Sequence, residues 1–499
     1  MGRRHELHAG DRRRAGAPPE PRRGVDRAAR ALRRGVGVSE IEPDIFKAYD
    51  IRGVYPDELD EEGARRIGRA FASVLAEAED KPVEELRVGL GRDMRLQAED
   101  MAAAYADGLR SAGASVLDVG EVGTEVLYFA VGARDLDGGL ACTASHNPAD
   151  YTGAKLVRRG ALPLSGDTGI GELRELVTAG EPAAGTGDDR RGGYDTADVG
   201  DEFGSLALSF IEPDRIRPMK VVLDGGNGMA GPMVGPLLEG LPLERVETYW
   251  RPDGNFPDHE PNPLLEENRQ FVIDRVLSEG AELGIAWDGD ADRCFFIDDK
   301  GRFVEGDFLT ALLAESILRI EPGATILYDV RASRAVRDVV ERSGGRAMVN
   351  RVGHAFFKSR MRETGAAFGG EVSGHYYFRD FYCADSGTIP ALLVLELLSR
   401  EEKRMSELLA PLHERYFVSG EINSEVEDAD AKMEELAERY GEAGAEIGHL
   451  DGVSVDFEGW HFTVRPSNTE PLLRLNLESL VSQEDMEAHR DEVLGLIRG

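Results

Sequence analysis

Three short apolar runs, each ending in a polar loop and followed by a helical pattern, constrain the fold of this chain more than any other feature. Arg87–Asp93 precedes the helix-like stretch Glu99–Gly113, Lys220–Asp224 runs into the glycine-rich Gly225–Gly228 and another helical segment, and Ala324–Asp329 precedes Ser333–Arg342. Apolar β-type runs alternating with helical periodicity are the mark of βα units. Their recurrence at intervals of about a hundred residues predicts three related α/β domains with mixed or parallel sheets. The pattern changes around Ala410–Gly420, where an acidic helix near Asp428–Tyr440 and later short strands predict a separate C-terminal α+β domain. The expected domains are 42–192, 193–302, 303–414 and 415–499, with the Gly- and Asp-rich Gly180–Gly200 as a linker. Residues 1–41 stand apart as an Arg-rich extension: the first 40 hold eleven arginines against five acidic residues, with little apolar periodicity. That composition predicts disorder, and its acidic residues and missing apolar core fit neither an organelle-targeting peptide nor a secretory signal.

Composition excludes several partners. The net charge is −34, from 93 acidic and 59 basic residues, whereas nucleic acid and anionic membranes demand a basic footprint. No apolar run approaches the ~18 residues of a membrane span. Cys142, Cys294 and Cys383 are scattered and odd in number, with no metal-site spacing and no disulfide framework, which suits a reducing cytoplasm. In so acidic a protein a phosphate site must be a local basic island. Arg52, Lys155, Arg293, Arg351, Arg465 and Arg474 can supply one.

The chemistry-bearing residues lie in short runs. Thr143–Pro148 follows the small apolar run Gly138–Cys142 and leads into Tyr151–Lys155. A serine at a strand end, beside His146 and ten residues before Lys155, is placed to carry a phosphoryl group, although serine in a polar turn also serves as a backbone-bonding residue. Asp288, Asp290 and Asp292 alternate within Asp288–Arg293, directly after the strand-like Glu282–Trp287. Three such carboxylates can converge on one hard cation. A calcium hand would want glycine and glutamate where Arg293 and Asp299 stand, which weakens that reading; with a phosphate oxygen the three carboxylates would suit Mg²⁺, and a solvated acidic turn is the plain alternative. In Gly370–His375, Glu371, Ser373 and His375 face one side of an extended segment; the glutamate and serine can hold sugar hydroxyls, and an ordinary polar loop has the same pattern. Arg465–Glu470, with Arg474 nearby, has the arginine, hydroxyls and amide of a phosphate nest or a capped turn. Phe46–Gly53 adds Tyr49 and Arg52, and Arg351–His354 adds a histidine after glycine.

In this order the motifs resemble the α-D-phosphohexomutase family, in its bacterial and archaeal phosphomannomutase/phosphoglucomutase branch. Tyr49–Gly53, Gly91–Asp93, Thr143–Pro148, Asp224–Gly228, Phe256–Pro263, Asp288–Arg293, Gly370–His375 and Arg465–Thr469 all fit, from about Glu42 to the C-terminus. The resemblance implies a heart-shaped four-domain protein, three domains sharing an α/β core and a mobile α+β fourth. It implies Ser145 as the phosphoserine and, with Asp288, Asp290 and Asp292, as a Mg²⁺ ligand. Tyr49, Glu371, Ser373 and His375 are implied at the sugar, and Arg465, Ser467, Asn468 and Thr469 at the distal phosphate. Arg293 would offset charge on the transferring group. His146, Lys155, Arg52 and His354 would surround the reacting hydroxyl, with acid and base roles unassigned.

The implied activity interconverts the 1- and 6-phosphates of mannose, glucose or both through a hexose 1,6-bisphosphate, which also serves as activator. Partners would be soluble sugar phosphates, and the protein a cytoplasmic monomer or homodimer. Ser386 stands where many members carry a second aspartate, and the N-terminal extension lies outside the family pattern. The alternatives are a Mg²⁺-dependent sugar phosphatase using the same carboxylates, a phosphoglucosamine mutase, and an acidic cation-binding protein without catalysis.

Overall fold

The computed structural model describes residues 41–179, 191–466 and 472–499. The arginine-rich extension up to residue 40, most of the expected linker, and Ser467, Asn468 and Thr469 lie outside the described residues.

Three α/β sheets share one topology. In the first, Arg87–Arg92 lies between Ser115–Glu121 and Gly138–Cys142, parallel to both, and Tyr151–Arg158 then adds antiparallel to Gly138–Cys142. In the second, Met219–Asp224 lies between Leu243–Thr248 and Leu283–Trp287, with Cys294–Asp298 antiparallel at the edge. In the third, Thr325–Asp329 lies between Arg346–Asn350 and Phe368–Gly370, followed by antiparallel Tyr376–Phe378. The expected repeat is therefore real, and each sheet is mixed. The first sheet extends further through Asp50–Val54, antiparallel to Tyr151–Arg158. The fourth sheet, Phe417–Glu425, Leu472–Ser479, Trp460–Pro466, Val453–Asp456 and Glu446–Gly448, is wholly antiparallel. The helices Ala429–Glu442 and Gln483–Arg498 complete the α+β unit.

Local chemistry sets the boundaries. The helix Ala98–Ala112 stops at Gly113, whose left-handed backbone closes the last turn. Ser333 caps Arg334–Arg342 by accepting from Ala335 N, and Asp428 caps Ala429–Glu442 by accepting from Ala431 N. The strands Gly138–Cys142, Leu283–Trp287 and Cys294–Asp298 are buried at every residue, the last even though it lies at the edge of its sheet, as sheets covered on both faces require. Tyr194–Thr196, within the stretch read as linker, pairs parallel to Ser115–Glu121 at the edge of the first sheet. Three exposed residues leave no apolar alternation to read. No described helix is long and apolar enough to cross a membrane.

Candidate active site

The shared topology explains why distant motifs meet. In each α/β repeat the turn between the last parallel strand and its antiparallel neighbour carries a motif: Thr143–Asp150, Asp288–Arg293 and Glu371–His375. Packing the three repeats together brings these equivalent turns to one place.

In the first turn Ser145 is buried with φ +51°, a left-handed conformation that costs a non-glycine residue energy unless its surroundings enforce it. Thr143 Oγ1 accepts from Ser145 N at 2.8 Å. Arg95, buried and paired with Asp93, donates to four carbonyls of the turn: Ser145 O (2.9 Å), Asn147 O (2.6 Å), Pro148 O (2.7 Å) and Tyr151 O (3.1 Å). Its guanidinium also lies over the Phe256 ring. Arg52, from the neighbouring strand, binds Asn147 and pairs with Asp50.

The aspartate turn faces it. Ser145 Oγ donates to Asp288 Oδ2 at 2.8 Å, and Arg293 grips the same oxygen at 2.9 Å. Oxygens of Asp288, Asp290 and Asp292 lie within 4.8 Å of one another, all three residues buried. Lys155 Nζ sits 2.6 Å from Asp290 Oδ2 and also contacts Asp292. Burial opposes the charge on Lys155, but Asp290, Asp292 and Asp288 more than offset this and hold it as an ammonium. Burial pushes Asp288 upward, whereas Lys155 keeps Asp290 and Asp292 below the usual carboxylate range against the same burial. Asp290 Oδ1 and Asp292 Oδ1 are buried without a hydrogen-bond partner. Uncommitted carboxylate oxygens in an all-oxygen donor set fit a hard divalent cation. Arg293 donates to His146 Nδ1. That lone pair is thereby occupied, so Asp288 rather than His146 accepts from Ser145. Burial and then Arg293 hold His146 neutral.

The third turn closes the opposite side. Glu371 accepts from Gly353 N (2.7 Å) and Tyr377 OH (2.6 Å), and burial pushes its carboxyl up. Ser373 Oγ lies 3.4 Å from His375 Nδ1. His375 Nε2 lies 4.0 Å from Asp292 and 3.7 Å from Asp385. His354 opens the helix His354–Thr364 half-buried, its Nδ1 buried and unpartnered, and desolvation of the ring keeps it neutral. The Tyr49 ring packs edge-on against it, centroids 5.2 Å apart. Burial raises the Tyr49 phenol, with Glu371 and Asp451 adding to the shift and Arg465 and Arg351 opposing it. The fourth unit reaches this corner through Asp451, which accepts from Val352 N and pairs with Arg465 at 3.1 Å.

The predicted site residues just named thus gather in one cluster; of the expected basic island, Arg351 lies over the Phe356 ring and Arg474 pairs with Glu421 at 3.5 Å. Sequence reasoning missed Arg95, two positions beyond Gly91–Asp93, and the buried pair Lys358–Asp385, whose ions are 2.7 Å apart. It also missed Thr124, which donates to Asp290, and Arg331, paired with Asp329 at 2.9 Å.

A buried hydroxyl facing a carboxylate cluster, with cations on either side, is the equipment of an α/β phosphoryl-transfer enzyme. Models of phosphoglucomutase/phosphomannomutase α/β/α domains I, II and III match residues 43–183, 201–301 and 305–416, and that of the C-terminal domain matches 421–496. The chain is 44% identical over 454 residues to a protein named phosphohexose mutases from Xanthomonas campestris pv. campestris, covering 91% of this chain and 99% of that one. It is 43% identical over 459 residues to a phosphomannomutase of Escherichia coli K12, covering 91% and 98%. The crystal structure of a phosphoglucomutase/phosphomannomutase family protein from Burkholderia thailandensis superposes with a TM-score of 0.82 at 36% identity, covering 91% and 97%. The chain belongs to the phosphoglucomutase/phosphomannomutase family, and is accordingly an isomerase of the phosphohexomutase class.

Proposed function

We propose that this protein interconverts the 1- and 6-phosphates of mannose, glucose or both by passing a phosphoryl group through Ser145. The observation that carries this reading is the hydrogen bond from Ser145 Oγ to Asp288, with Asp290, Asp292, Lys155 and Arg293 around it. Asp288, Asp290, Asp292 and an oxygen on Ser145 would hold Mg²⁺, which neutralises charge on the transferring phosphoryl group when bound.

The chain's own residues account for the rest. The P–Oγ bond of phospho-Ser145 breaks as the free sugar hydroxyl forms a new P–O bond. Its proton passes to His354 Nδ1, unpartnered and able to take it once the phosphate charge of the substrate lies beside the ring. Lys155, held as an ammonium, returns a proton to the departing Ser145 oxygen. Arg293 stabilises the equatorial oxygens during transfer. The hexose 1,6-bisphosphate then turns end for end and both proton transfers reverse, so that Ser145 regains a phosphoryl group from the other carbon. Tyr49, Glu371, Ser373 and His375 grip the sugar, and Arg465 the distal phosphate, with Ser467, Asn468 and Thr469 expected beside it. Soluble sugar phosphates as partners, and three buried free cysteines, suit a cytoplasmic enzyme.

The test is retention of label. Incubation with ³²P-labelled glucose 1,6-bisphosphate should leave one phosphoryl group on Ser145, mapped by mass spectrometry, and none on Ser145→Ala. Release of inorganic phosphate without labelled protein would contradict the reading.

A further inference from the structure

The Asp288–Arg293 turn is held from both sides by segments that belong to other domains. On one side is the first turn of the helix Thr124–Ala133 in the first α/β unit. Thr124 N donates to Asp290 O at 3.2 Å, and Thr124 Oγ1 donates to Asp290 Oδ2. Lys155 takes the same Oδ2. Two donors on one oxygen fix the rotation of the carboxylate and leave Oδ1 buried and unpartnered.

On the other side is Ser386–Thr388 of the third unit. Trp287 Nε1 donates to Gly387 O at 3.0 Å. Gly387 approaches so closely that a Cβ there would lie 2.4 Å from Ala291 O, a backbone atom inside the aspartate turn. The two sides are tied to each other, because Thr388 Oγ1 donates to Glu125 Oε1 and both residues are fully buried. A mobile aspartate turn would have to break this tie or push one of the flanking segments away.

We propose that Thr124 and Glu125 are positioning residues for the metal site, Thr124 by orienting Asp290 and Glu125 by closing the clamp through Thr388. This rests on the reading of Asp288, Asp290 and Asp292 as metal ligands. The arrangement makes the shape of the cation site depend on the seating of all three α/β units rather than on the second unit alone. Partners of metal ligands at this remove typically contribute about 10–100-fold to metal affinity.

The test is Mn²⁺ binding to the full-length protein, with free ion read by electron paramagnetic resonance and thermal unfolding recorded for each variant. Thr124→Val and Glu125→Ala should each weaken Mn²⁺ binding about tenfold or more. Thr124→Ser and Glu125→Gln, which keep the hydroxyl and the accepting oxygen, should bind as wild type does. If Thr124→Val unfolds, Thr124→Ala carries the same comparison. Wild-type affinity in Thr124→Val and Glu125→Ala would overturn the proposal, as would equal weakening by the conservative and disruptive variants. Asp290→Asn separates the two levels. If it loses Mn²⁺ while Thr124→Val does not, only the clamp falls; if it binds as wild type, the metal reading falls and takes the clamp with it.

Discussion

Ser145 Oγ and Asp288 Oδ2 lie 2.8 Å apart although 143 positions separate the two residues in the chain. Each sits at the same turn of its own repeat, so the pairing follows from packing two equivalent units. Under the proposed transfer through Ser145, Asp288 would bond the oxygen that gains and loses the phosphoryl group, and Asp288→Asn should lower kcat by about a hundredfold or more. Steady-state assay of the purified variant checks this, and a change confined to KM would speak against a role in transfer.

The two loops also touch through backbone. A Cβ on Gly289 would lie 2.5 Å from Ser145 O, which cannot rotate away. Gly289→Ala should therefore push the serine and aspartate turns apart, destabilising the protein by about 1–3 kcal/mol and reducing activity beyond the loss of folded protein. Urea unfolding with a parallel activity assay measures both effects.

Arg95 is the keystone of the serine turn. Arg95→Met leaves Asp93 buried without its ion-pair partner and Ser145 O and Asn147 O without a donor, while Pro148 O and Tyr151 O keep only Tyr151 N and Gln97 Nε2, a loss of about 3–5 kcal/mol. Arg95→Lys should rescue little, because an ammonium cannot span four acceptors as a guanidinium fork does. Denaturant unfolding of both variants distinguishes this from a simple charge requirement.

His259 supplies a pH-dependent element. Its Nε2 lies 3.2 Å from Asp224 Oδ2 and its Nδ1 2.8 Å from Glu260 O. Both partners only accept, so both ring nitrogens carry hydrogen. Burial opposes the charge, but the hydrogen bond and charge of Asp224, helped by Asp258, raise the pKa above 6.5. A raised folded-state pKa gives a contribution complete below the unfolded value and lost as pH rises through the folded one. The stability advantage of wild type over His259→Gln should thus be larger at about pH 6 than at about pH 9. An advantage that grows with pH would contradict the assignment.

Much of this was legible because each chief motif is a contiguous run at the end of an apolar strand. The three aspartates stand out by type and spacing, Ser145 only by its place among motifs that resemble the family, and the βα recurrence pointed to the three repeats. Strand direction was not legible, because a fully buried, largely apolar strand such as Cys294–Asp298 looks the same parallel or antiparallel. Nor were residues whose role arises between domains. Lys358 lies one helical turn beyond His354, where a lysine usually reaches solvent. Here it is buried against Asp385 and 3.9 Å above the Tyr128 ring. Thr124 reads as an ordinary residue at a helix start until Asp290 is seen beside it.

The most direct test of phosphoryl transfer through Ser145 is a coupled assay on mannose 1-phosphate and glucose 1-phosphate, with Mg²⁺ and a trace of hexose 1,6-bisphosphate, for wild type and Ser145→Ala. The account predicts isomerisation to the 6-phosphates by wild type, with the ratio of rates giving the preferred hexose, and nearly none by the variant. Turnover that survives Ser145→Ala, or release of inorganic phosphate in place of the 6-phosphate, would contradict it.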